Sequence, residues 1–388
     1  MILFPKKLEQ QLNERKENDL LRSLPGQENL VDFASNDYLG FAQDETLYAH
    51  TFQRLLNEGI SRNGASGSRL ISGNHKLYTE LEAHLAHFHD IEDALVFTSG
   101  YNANLGFFAA VPQRNDVVFY DQMIHASIRD GIALGHAKSY KFRHNDLENL
   151  QEGVQRVLNS SQEGISDTRI YVVTESVFSM EGDSPDLTAL AKYCLENGYY
   201  LVVDEAHALG VFGSKGMGLV QELGLEKKVF ARIITFGKAL GCHGAAVLGS
   251  AVLKQFLLNF ARSFMYTTGL PPHTLATLQS GYAYLESTEG KDRQRRLKRN
   301  ITYFKQRLGK LDLAPLFTPS DSAIQACVIP GNSRAQSISK KLAEDGFNVK
   351  AIRSPSVPKG YERLRFCVHS FNTKEEIGYV LQLLKNSL

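Results

Sequence analysis

The sequence predicts an α/β protein with a large, mainly parallel mixed β-sheet flanked by helices and a smaller α+β domain at the C-terminus. From about residue 92 to residue 250, short runs rich in β-branched and aromatic residues alternate with helical stretches, a pattern typical of a parallel sheet. Several of these runs are continuously apolar, as expected of strands buried on both faces. Beyond residue 273, long charged helices and separate short strands follow.

The elements follow one another in a clear order. The predicted strands of the large sheet read DALVFTSG, DVVFYDQM, KSYKFRH, RIYVVTES, YYLVVDEAH, RIITFGKAL and GAAVLGS. One or two long helices are predicted over residues 273–311, and the C-terminal strands read IQACVIP, FNVKAIR and ERLRFCVH, with helices at RAQSISKKLAEDG and TKEEIGYVLQLLKN. The charged segment MILFPKKLEQQLNERKENDLL is predicted to form an amphipathic helix. We therefore predict an N-terminal arm (1–45), a large domain (46–272) and a C-terminal domain (273–388).

Composition narrows the class of protein. The 388 residues include 43 basic and 42 acidic side chains, so net charge gives no reason to expect binding to nucleic acid or to an anionic membrane. The four cysteines are far apart and predict free thiols, and the histidines of HLAHFHD have no third ligand that would indicate a metal site. Without a long apolar run or a signal-peptide pattern, the protein is expected to be soluble and cytoplasmic.

The segment LVVDEAHALG ends a buried strand on Asp204 and places His207 three residues later. A nucleotide-driven helicase uses such an acid pair to hold Mg²⁺, but it also needs a GxxxxGK[ST] phosphate loop. The chain has no such loop, since Gly237 and Lys238 are followed by Ala239. The alternative is an enzyme that binds a pyridine cofactor.

Polar residues and one glycine turn end or follow five of the predicted strands, at the sheet edge where ligands of open α/β folds bind. These residues are Gly100, His125, Ser179, Asp204 and Lys238. A carboxylate beside a pyridine nitrogen keeps that nitrogen protonated, and a desolvated lysine acts as nucleophile and base. Backbone amides after Gly100 suit a phosphate group, and a threonine three residues before the lysine adds a hydroxyl. The residues therefore favour the pyridine-cofactor enzyme.

Nine motifs in order resemble the α-oxoamine synthase family of pyridoxal-phosphate enzymes, which have the type I aminotransferase fold. They are FASNDYLGF, SGSRLISGN, FTSGYNAN, HASIRDG, ESVFSMEGD, VVDEAHALGVFG, TFGKALG, YTTGLPP and AIRSPSVPKGYERLRFCVH. The resemblance runs nearly from end to end, and it implies pyridoxal 5′-phosphate as the cofactor.

The resemblance also implies roles for individual residues. Lys238 would bond the cofactor and shuttle a proton, Asp204 would face the ring nitrogen, His207 would contact the phenolate oxygen and His125 would stack on the ring. Ser179 would contact a cofactor oxygen. The phosphate would be held by Gly100, Tyr101, Thr235 and, from a second subunit, Thr268. Arg353 would bind the amino-acid carboxylate with Ser356 nearby, and Arg22 would contact the acyl substrate. The Thr268 role implies an obligate homodimer.

Two C-terminal stretches most resemble the members that condense L-alanine with a pimeloyl thioester, carried by CoA or acyl carrier protein, in biotin biosynthesis. They are SAIQACVIPGNSRAQSISKKLAEDG and VKAIRSPSVPKG…RLRF. Sister enzymes such as glycine C-acetyltransferase and serine palmitoyltransferase stay open alternatives, because one methyl group changes binding by only about 1–3 kcal/mol. A non-catalytic scaffold is a further alternative, but such scaffolds have lost the lysine that this chain keeps as Lys238.

Overall fold

A computed structural model describes residues 4–18, 20–22, 24, 29–160 and 168–388 of the protein. Within these residues the strands are β1 Val31–Asp32, β2 Asp93–Phe97, β3 Val117–Asp121, β4 Lys138–Phe142, β5 Ile170–Glu175, β6 Tyr200–Asp204, β7 Ala231–Thr235, β8 Ala245–Gly249, β9 Ile324–Val328, β10 Phe347–Asn348, β11 Lys350–Ile352 and β12 Arg363–Cys367.

The helices of the same part of the chain are α1 Lys6–Glu17, α2 Glu45–Asn57, α3 Lys76–Phe88, α4 Gly100–Ala110, α5 Ala126–Leu134, α6 Leu147–Ser160, α7 Leu187–Asn197, α8 Leu219–Glu222, α9 Ala251–Phe260, α10 Arg262–Met265, α11 Pro272–Glu286, α12 Thr288–Lys310, α13 Asn332–Glu344 and α14 Lys374–Ser387. Single π-helical and 3-10 turns occur at Arg69–Gly73 and Ala314–Leu316. None of these described helices combines the length and the apolar character needed to cross a membrane.

Helix ends follow local sequence signals. Helix α7 begins where the Asp186 carboxylate accepts the amide hydrogen of Ala189, and it ends at Gly198 with φ +69°, a left-handed conformation that glycine adopts without steric cost. Helix α14 begins with a reciprocal capping box, in which Thr373 and Glu376 each accept the other's backbone amide. Caps of this kind satisfy amides that have no partner inside the helix.

The large sheet contains all seven predicted strands, in the spatial order β2-β8-β7-β6-β5-β3-β4. Six strands run in one direction, and β8 is antiparallel to both of its neighbours. Alternate strand residues point to opposite faces. One face packs on α4, α5 and α9, and the other joins a larger core that includes α3, α7, α11 and α12. The predicted mixed α/β sheet is confirmed, and its six parallel strands end at one edge.

The C-terminal sheet has the order β11-β12-β9 and is antiparallel. The predicted strand FNVKAIR is divided in two at Val349, which is buried. Before Val349, β10 pairs in parallel with β1, and after it β11 pairs with β12. The chain therefore leaves one small sheet and enters another within three residues, which the apolar pattern of a single strand did not reveal.

Strand β1 joins the N-terminal arm to the C-terminal part of the chain. The amide of Phe33 donates to Asn348, the carbonyl of Phe33 accepts from Cys367, and the carbonyl of Tyr38 accepts from Ser370. Helix α1 forms as predicted, but none of its residues is buried. The boundaries proposed after residues 45 and 272 stay a prediction.

The acid pair of the DEAH segment divides between two environments. Glu205, next to Asp204, is fully buried and forms an ion pair with Arg232 of β7, with Nη2 and Oε2 2.5 Å apart. Arg232 also donates to the carbonyl of Met217, and Glu205 accepts from the amide of Val220. A buried ion pair is tolerated only when such further hydrogen bonds satisfy it. Glu205 is therefore a structural residue behind the sheet edge.

A second charged bridge links the ends of three strands. His144, which follows β4, lies between the carboxylates of Asp121 at the end of β3 (3.0 Å from Nδ1) and Asp183 after β5 (2.9 Å from Nε2). Burial alone would lower the pKa of His144, but the hydrogen bonds and charges of the two carboxylates raise it to about 10. The imidazole is therefore a cation at neutral pH.

We predict that His144→Asn lowers the free energy of unfolding by about 3 kcal/mol at pH 6, because it leaves two carboxylates without their cation. The folded-state pKa lies above the unfolded value of about 6.5, so the stabilisation is complete below pH 6.5 and is lost as the pH rises towards 10. Urea unfolding of wild type and variant across this range measures the difference. His136→Asn, at an exposed turn, is the matched control. A difference that stays constant with pH would contradict the charged bridge.

Candidate active site

A cavity of about 250 Å³ lies at the carboxyl ends of β2, β3, β5, β6 and β7. Because these strands are parallel, the residues that follow them meet at one edge of the sheet. The cavity is lined by Asn36, Ser99, Gly100, Tyr101, Asn104, His125, Ser127, Glu175, Asp204, Ala206, His207, Thr235, Gly237, Lys238, His243 and Gly244. Seven of the residues predicted from sequence are among them.

Lys238 follows β7 and is half-buried at the cavity. Desolvation lowers the pKa of its ammonium group to about 8, although the charge of Asp204 opposes this shift. The guanidinium of Arg365 favours the neutral amine. Lys238 therefore has a much larger uncharged, nucleophilic fraction near neutral pH than an ordinary lysine has.

Asp204, the last residue of β6, is held by two hydrogen bonds. Its Oδ1 accepts from the amide of Ala206 and its Oδ2 from the side-chain amide of Asn104, both at 2.9 Å. Asn104 also donates to Ser127 Oγ at 3.0 Å, and Ser127 Oγ lies 2.7 Å from Nδ1 of His125. This chain of contacts fixes the carboxylate and connects it to the imidazole of His125.

His207 is buried and uncharged. Desolvation, followed by the charges of Lys238 and Arg365, holds its pKa well below the usual value. The hydroxyl of Tyr38 lies 2.7 Å from His207 Nδ1 and 3.1 Å from Asn36 Oδ1. Arg365 already donates to Asn36, so we assign the Tyr38 hydrogen to the shorter contact. Nδ1 then accepts, and the neutral ring carries its hydrogen on Nε2.

The start of α4 forms an anion site. Ser99 caps the helix by accepting from Asn102, and the amides of Gly100 and Tyr101 have no acceptor inside the helix. The side chain of Thr235 stands over this turn, and a Cβ atom on Gly100 would lie only 2.4 Å from its Cγ2. Thr235 Oγ1 is buried without a hydrogen-bond partner in the described part of the chain. Free amides, a helix dipole and a free hydroxyl together suit a phosphate group.

Arg365 of β12 brings a buried positive charge close to these groups. Its guanidinium donates to the carbonyl of Ser179 at 2.6 Å and to Asn36 Oδ1 at 3.1 Å, and Asn36 lines the cavity. Burial disfavours its charge, yet contacts with Cys367 and Tyr38 raise its pKa. The C-terminal sheet thereby contributes a cation to the edge of the large sheet.

Five of the predicted site residues lie outside the cavity lining. Ser179 is half-buried beside Arg365, Thr268 is exposed, and Arg22 is exposed in the N-terminal arm. Arg353 is half-buried and donates to Gln336 at 2.6 Å, and the exposed Ser356 bonds through its amide to the Arg353 carbonyl. The roles of these five residues stay predictions.

Sequence reasoning missed six residues that build the site: Asn36, Tyr38, Asn104, Ser127, Glu175 and Arg365. Glu175 had a usable signal, because it ends the strand RIYVVTES just as Asp204 ends the next strand. Asn104 also had one, because it stands four residues after Gly100 on the same face of a helix. Tyr38 and Arg365 had none, because they reach the site only through pairing between distant segments.

The cavity offers three contacts to a single ligand: an anion site at α4, a carboxylate at Asp204 and a nucleophilic amine at Lys238. Two buried polar atoms, Thr235 Oγ1 and Asn104 Oδ1, have no partner within the described residues, and a bound ligand can supply one. A phosphorylated pyridine aldehyde matches all three contacts. The residues therefore fit pyridoxal phosphate.

Comparisons with known proteins agree with this geometry. The chain matches the family of class I and II aminotransferases over residues 28–384. The 8-amino-7-oxononanoate synthase of Emericella nidulans is 37% identical over 400 aligned positions, which cover 98% of this chain and 96% of the relative.

Solved structures show the same fold. A serine palmitoyltransferase from S. paucimobilis, solved with PLP and myriocin, superimposes with a TM-score of 0.87 at 25% identity, covering 98% of this chain and 96% of that one. The 8-amino-7-oxononanoate synthase of Francisella tularensis gives 0.77 at 30% identity, covering 93% and 98%. The predicted family and fold type are confirmed.

We predict that an amine-specific arylating reagent modifies Lys238 of the cofactor-free protein with a midpoint near pH 8, against about 10.4 for an ordinary lysine. Peptide mass spectrometry as a function of pH separates Lys238 from the N-terminal amine, and Lys238→Ala identifies its peptide. An ordinary midpoint would show that the cavity does not activate this amine.

Proposed function

The chain belongs to the class I and II aminotransferase family and, within it, to the α-oxoamine synthases, and from this premise we propose that it condenses L-alanine with a pimeloyl thioester. The acyl group is carried by CoA or by acyl carrier protein. The products are 8-amino-7-oxononanoate, CO₂ and the free thiol of the carrier, a step of biotin biosynthesis. The observation that carries the proposal is the convergence of Lys238, Asp204 and His207 on one cavity.

When bound, pyridoxal phosphate supplies an electron-withdrawing ring that takes up the electron pair released at the α-carbon of an amino acid. Asp204 would face the ring nitrogen and keep it protonated. Nε2 of His207 would donate a hydrogen bond to the phenolate oxygen, as its assigned tautomer allows. His125, which is exposed to the cavity, would pack against the ring. Its contact with Ser127 sets the angle of the imidazole.

Lys238 performs the proton transfers. Its Nζ would hold the cofactor through the aldehyde carbon, with loss of water, and as a free amine it would remove the α-proton of L-alanine. The lowered pKa of Lys238 suits both tasks, because a base works best when its pKa lies near the working pH. The same group returns a proton to the product after CO₂ is lost.

The remaining residues hold the substrates and the phosphate. The amides of Gly100 and Tyr101 and the hydroxyl of Thr235 bind the phosphate, with Ser179 at a cofactor oxygen. For the amino-acid carboxylate, Arg365 is better placed than Arg353, because its charge acts on both Lys238 and His207. Arg353, with Ser356 nearby, stays the alternative for this carboxylate, and Arg22 is proposed to contact the acyl substrate.

We propose further that the protein is a cytoplasmic homodimer. The exposed Thr268 would complete the phosphate site of a second copy. Thr268 lies four residues before Pro272, where α11 begins, and its exposed side chain could contact a second copy. Each dimer would then contain two shared sites.

Serine palmitoyltransferase activity is the second candidate, favoured by the TM-score of 0.87 to such an enzyme. It would keep the cofactor and the role of Lys238 and change only the amino acid and the acyl chain. The higher sequence identity, 37% against 25%, favours the alanine-dependent reaction.

We expect thiol release by the cofactor-loaded protein with L-alanine plus pimeloyl-CoA, and not with glycine or serine plus acetyl-, succinyl- or palmitoyl-CoA. A thiol-reactive dye measures each pairing. Lys238→Ala should abolish turnover while leaving the circular dichroism spectrum unchanged, because only the reacting amine is lost. Turnover with serine and palmitoyl-CoA would instead assign the second candidate.

We predict that Gly100→Ala weakens cofactor binding at least tenfold. The new Cβ would lie 2.4 Å from Thr235 Cγ2 and would push the backbone amides away from the phosphate, so that the loss of binding free energy exceeds the contribution of one hydrogen bond. Thr235→Ser keeps the hydroxyl and removes this methyl group. The double variant should therefore recover most of the affinity, as measured by absorbance titration with pyridoxal phosphate. Equal affinity of Gly100→Ala and wild type would remove the phosphate site from the start of α4.

A further inference from the structure

Glu175 is a buried acid at the cavity that the proposed reaction does not use. It is the last residue of β5, where it is in register with Asp204 of β6. Its side chain is 3% exposed and lines the same cavity. Two carboxyl groups therefore end adjacent strands and face one small volume.

The two carboxyl groups receive unequal support from hydrogen bonds. Asp204 accepts two, from Ala206 and Asn104. Glu175 accepts one, from the backbone amide of His125 to Oε1 at 2.6 Å, and its Oε2 has none within the described residues. Hydrogen-bond donors stabilise an anion, so the negative charge belongs on Asp204.

The charged surroundings lead to the same assignment. The groups that act on Glu175 are Asp204 on β6, Lys238 after β7, Glu181 after β5 and the amide of His125 before α5. Two of these are acids and only one is a cation, and Lys238 also interacts with Asp204. Two adjacent carboxylates sharing one cation in a desolvated site cannot both be ionised without a large cost.

We propose that Glu175 is a protonated positioning residue, which holds His125 in place without adding a second negative charge beside Asp204. Burial and the charge of Asp204 raise the pKa of Glu175 well above its usual range, while Lys238 and the His125 amide oppose this. A neutral carboxyl group still accepts the amide hydrogen through its carbonyl oxygen. His125 is thereby fixed at the start of α5 by an uncharged partner.

The proton on Glu175 also affects the catalytic amine. An ionised Glu175 would stabilise the ammonium form of Lys238, as Asp204 does. A neutral Glu175 removes that effect and leaves more of Lys238 as the free base. The acid therefore positions one catalytic residue and preserves the reactivity of another. The activity part of this inference rests on the proposed function, but the charge state of Glu175 does not.

Infrared spectroscopy of the cofactor-free protein tests the charge state directly. Wild type at pH 7 should show the carbonyl stretch of a protonated carboxylic acid, shifted by ¹³C-glutamate labelling and absent from Glu175→Gln. Asp204→Asn should weaken the band, because the neighbouring anion that keeps the proton on Glu175 is gone. If Glu175→Gln does not fold, Glu175→Asp serves instead. Its carboxyl band should no longer shift on ¹³C-glutamate labelling, because residue 175 is then an unlabelled aspartate. A wild-type band that neither substitution changes, or no band, overturns the proposal.

The pH midpoint of Lys238 arylation supplies a second readout without turnover. Glutamine reproduces a neutral acid that accepts from His125, so Glu175→Gln should leave the midpoint unchanged. A lower midpoint would mean that wild-type Glu175 is an anion, which overturns the proposal. Both readouts remain valid if no thioester is turned over, so failure of the proposed function is distinguishable from failure of this inference.

Kinetics then test the positioning role. Glu175→Gln should keep kcat/KM within about threefold of wild type and the same pH profile, because one net hydrogen bond is retained. Glu175→Ala leaves the His125 amide buried without an acceptor, and we expect kcat to fall about tenfold or more. Activity of Glu175→Gln as low as that of Glu175→Ala would show that the charge matters, against the proposal.

Discussion

Desolvation of ionisable groups at one edge of the sheet is the constraint on which the rest of the structure depends. Taking a carboxylate or an ammonium group out of water costs several kcal/mol unless the protein replaces the lost hydration. At this edge the replacement is specific for each group: two amide donors for Asp204, one for Glu175 and the Asp204 carboxylate for Lys238. The part of the desolvation cost that these contacts do not offset shifts the pKa values of the groups, and a shifted pKa such as that of Lys238 makes the group more reactive.

The direction of the strands determines which groups share this environment. In the segment DEAH, alternate side chains point to opposite sides of the sheet edge, so neighbouring acids have different partners. Asp204 lines the cavity, while Glu205 forms an ion pair with Arg232 in the core behind it. The acid pair that resembles a magnesium-binding motif is thus one residue that lines the cavity and one structural residue. The single antiparallel strand β8 leaves the convergence of the other strands intact.

The fold and the centre of the site were predictable because both depend on local patterns. Apolar runs located all seven strands, and the parallel order then placed Gly100, His125, Asp204 and Lys238 together. Tyr38 and Arg365 were not predictable in this way. Tyr38 reaches the cavity because β1 pairs with β10, which joins segments more than 300 residues apart. Arg365 reaches it because β12 belongs to a second sheet, in which it pairs with β9. The division of FNVKAIR into two strands was not predictable either, because a change of pairing partner does not alter the alternation of apolar residues along the sequence.

The pairing of β1 with β10 has a consequence for synthesis on the ribosome. The chain emerges from its N-terminus, so Val31 and Asp32 leave the exit tunnel long before their partners at Phe347 and Asn348 have been translated. The large sheet can form meanwhile, but the side of the cavity that carries Asn36 and Tyr38 forms only after β10 has been translated. A nascent chain therefore has its lysine in place before it can enclose a cofactor, and the site closes only when translation is nearly finished.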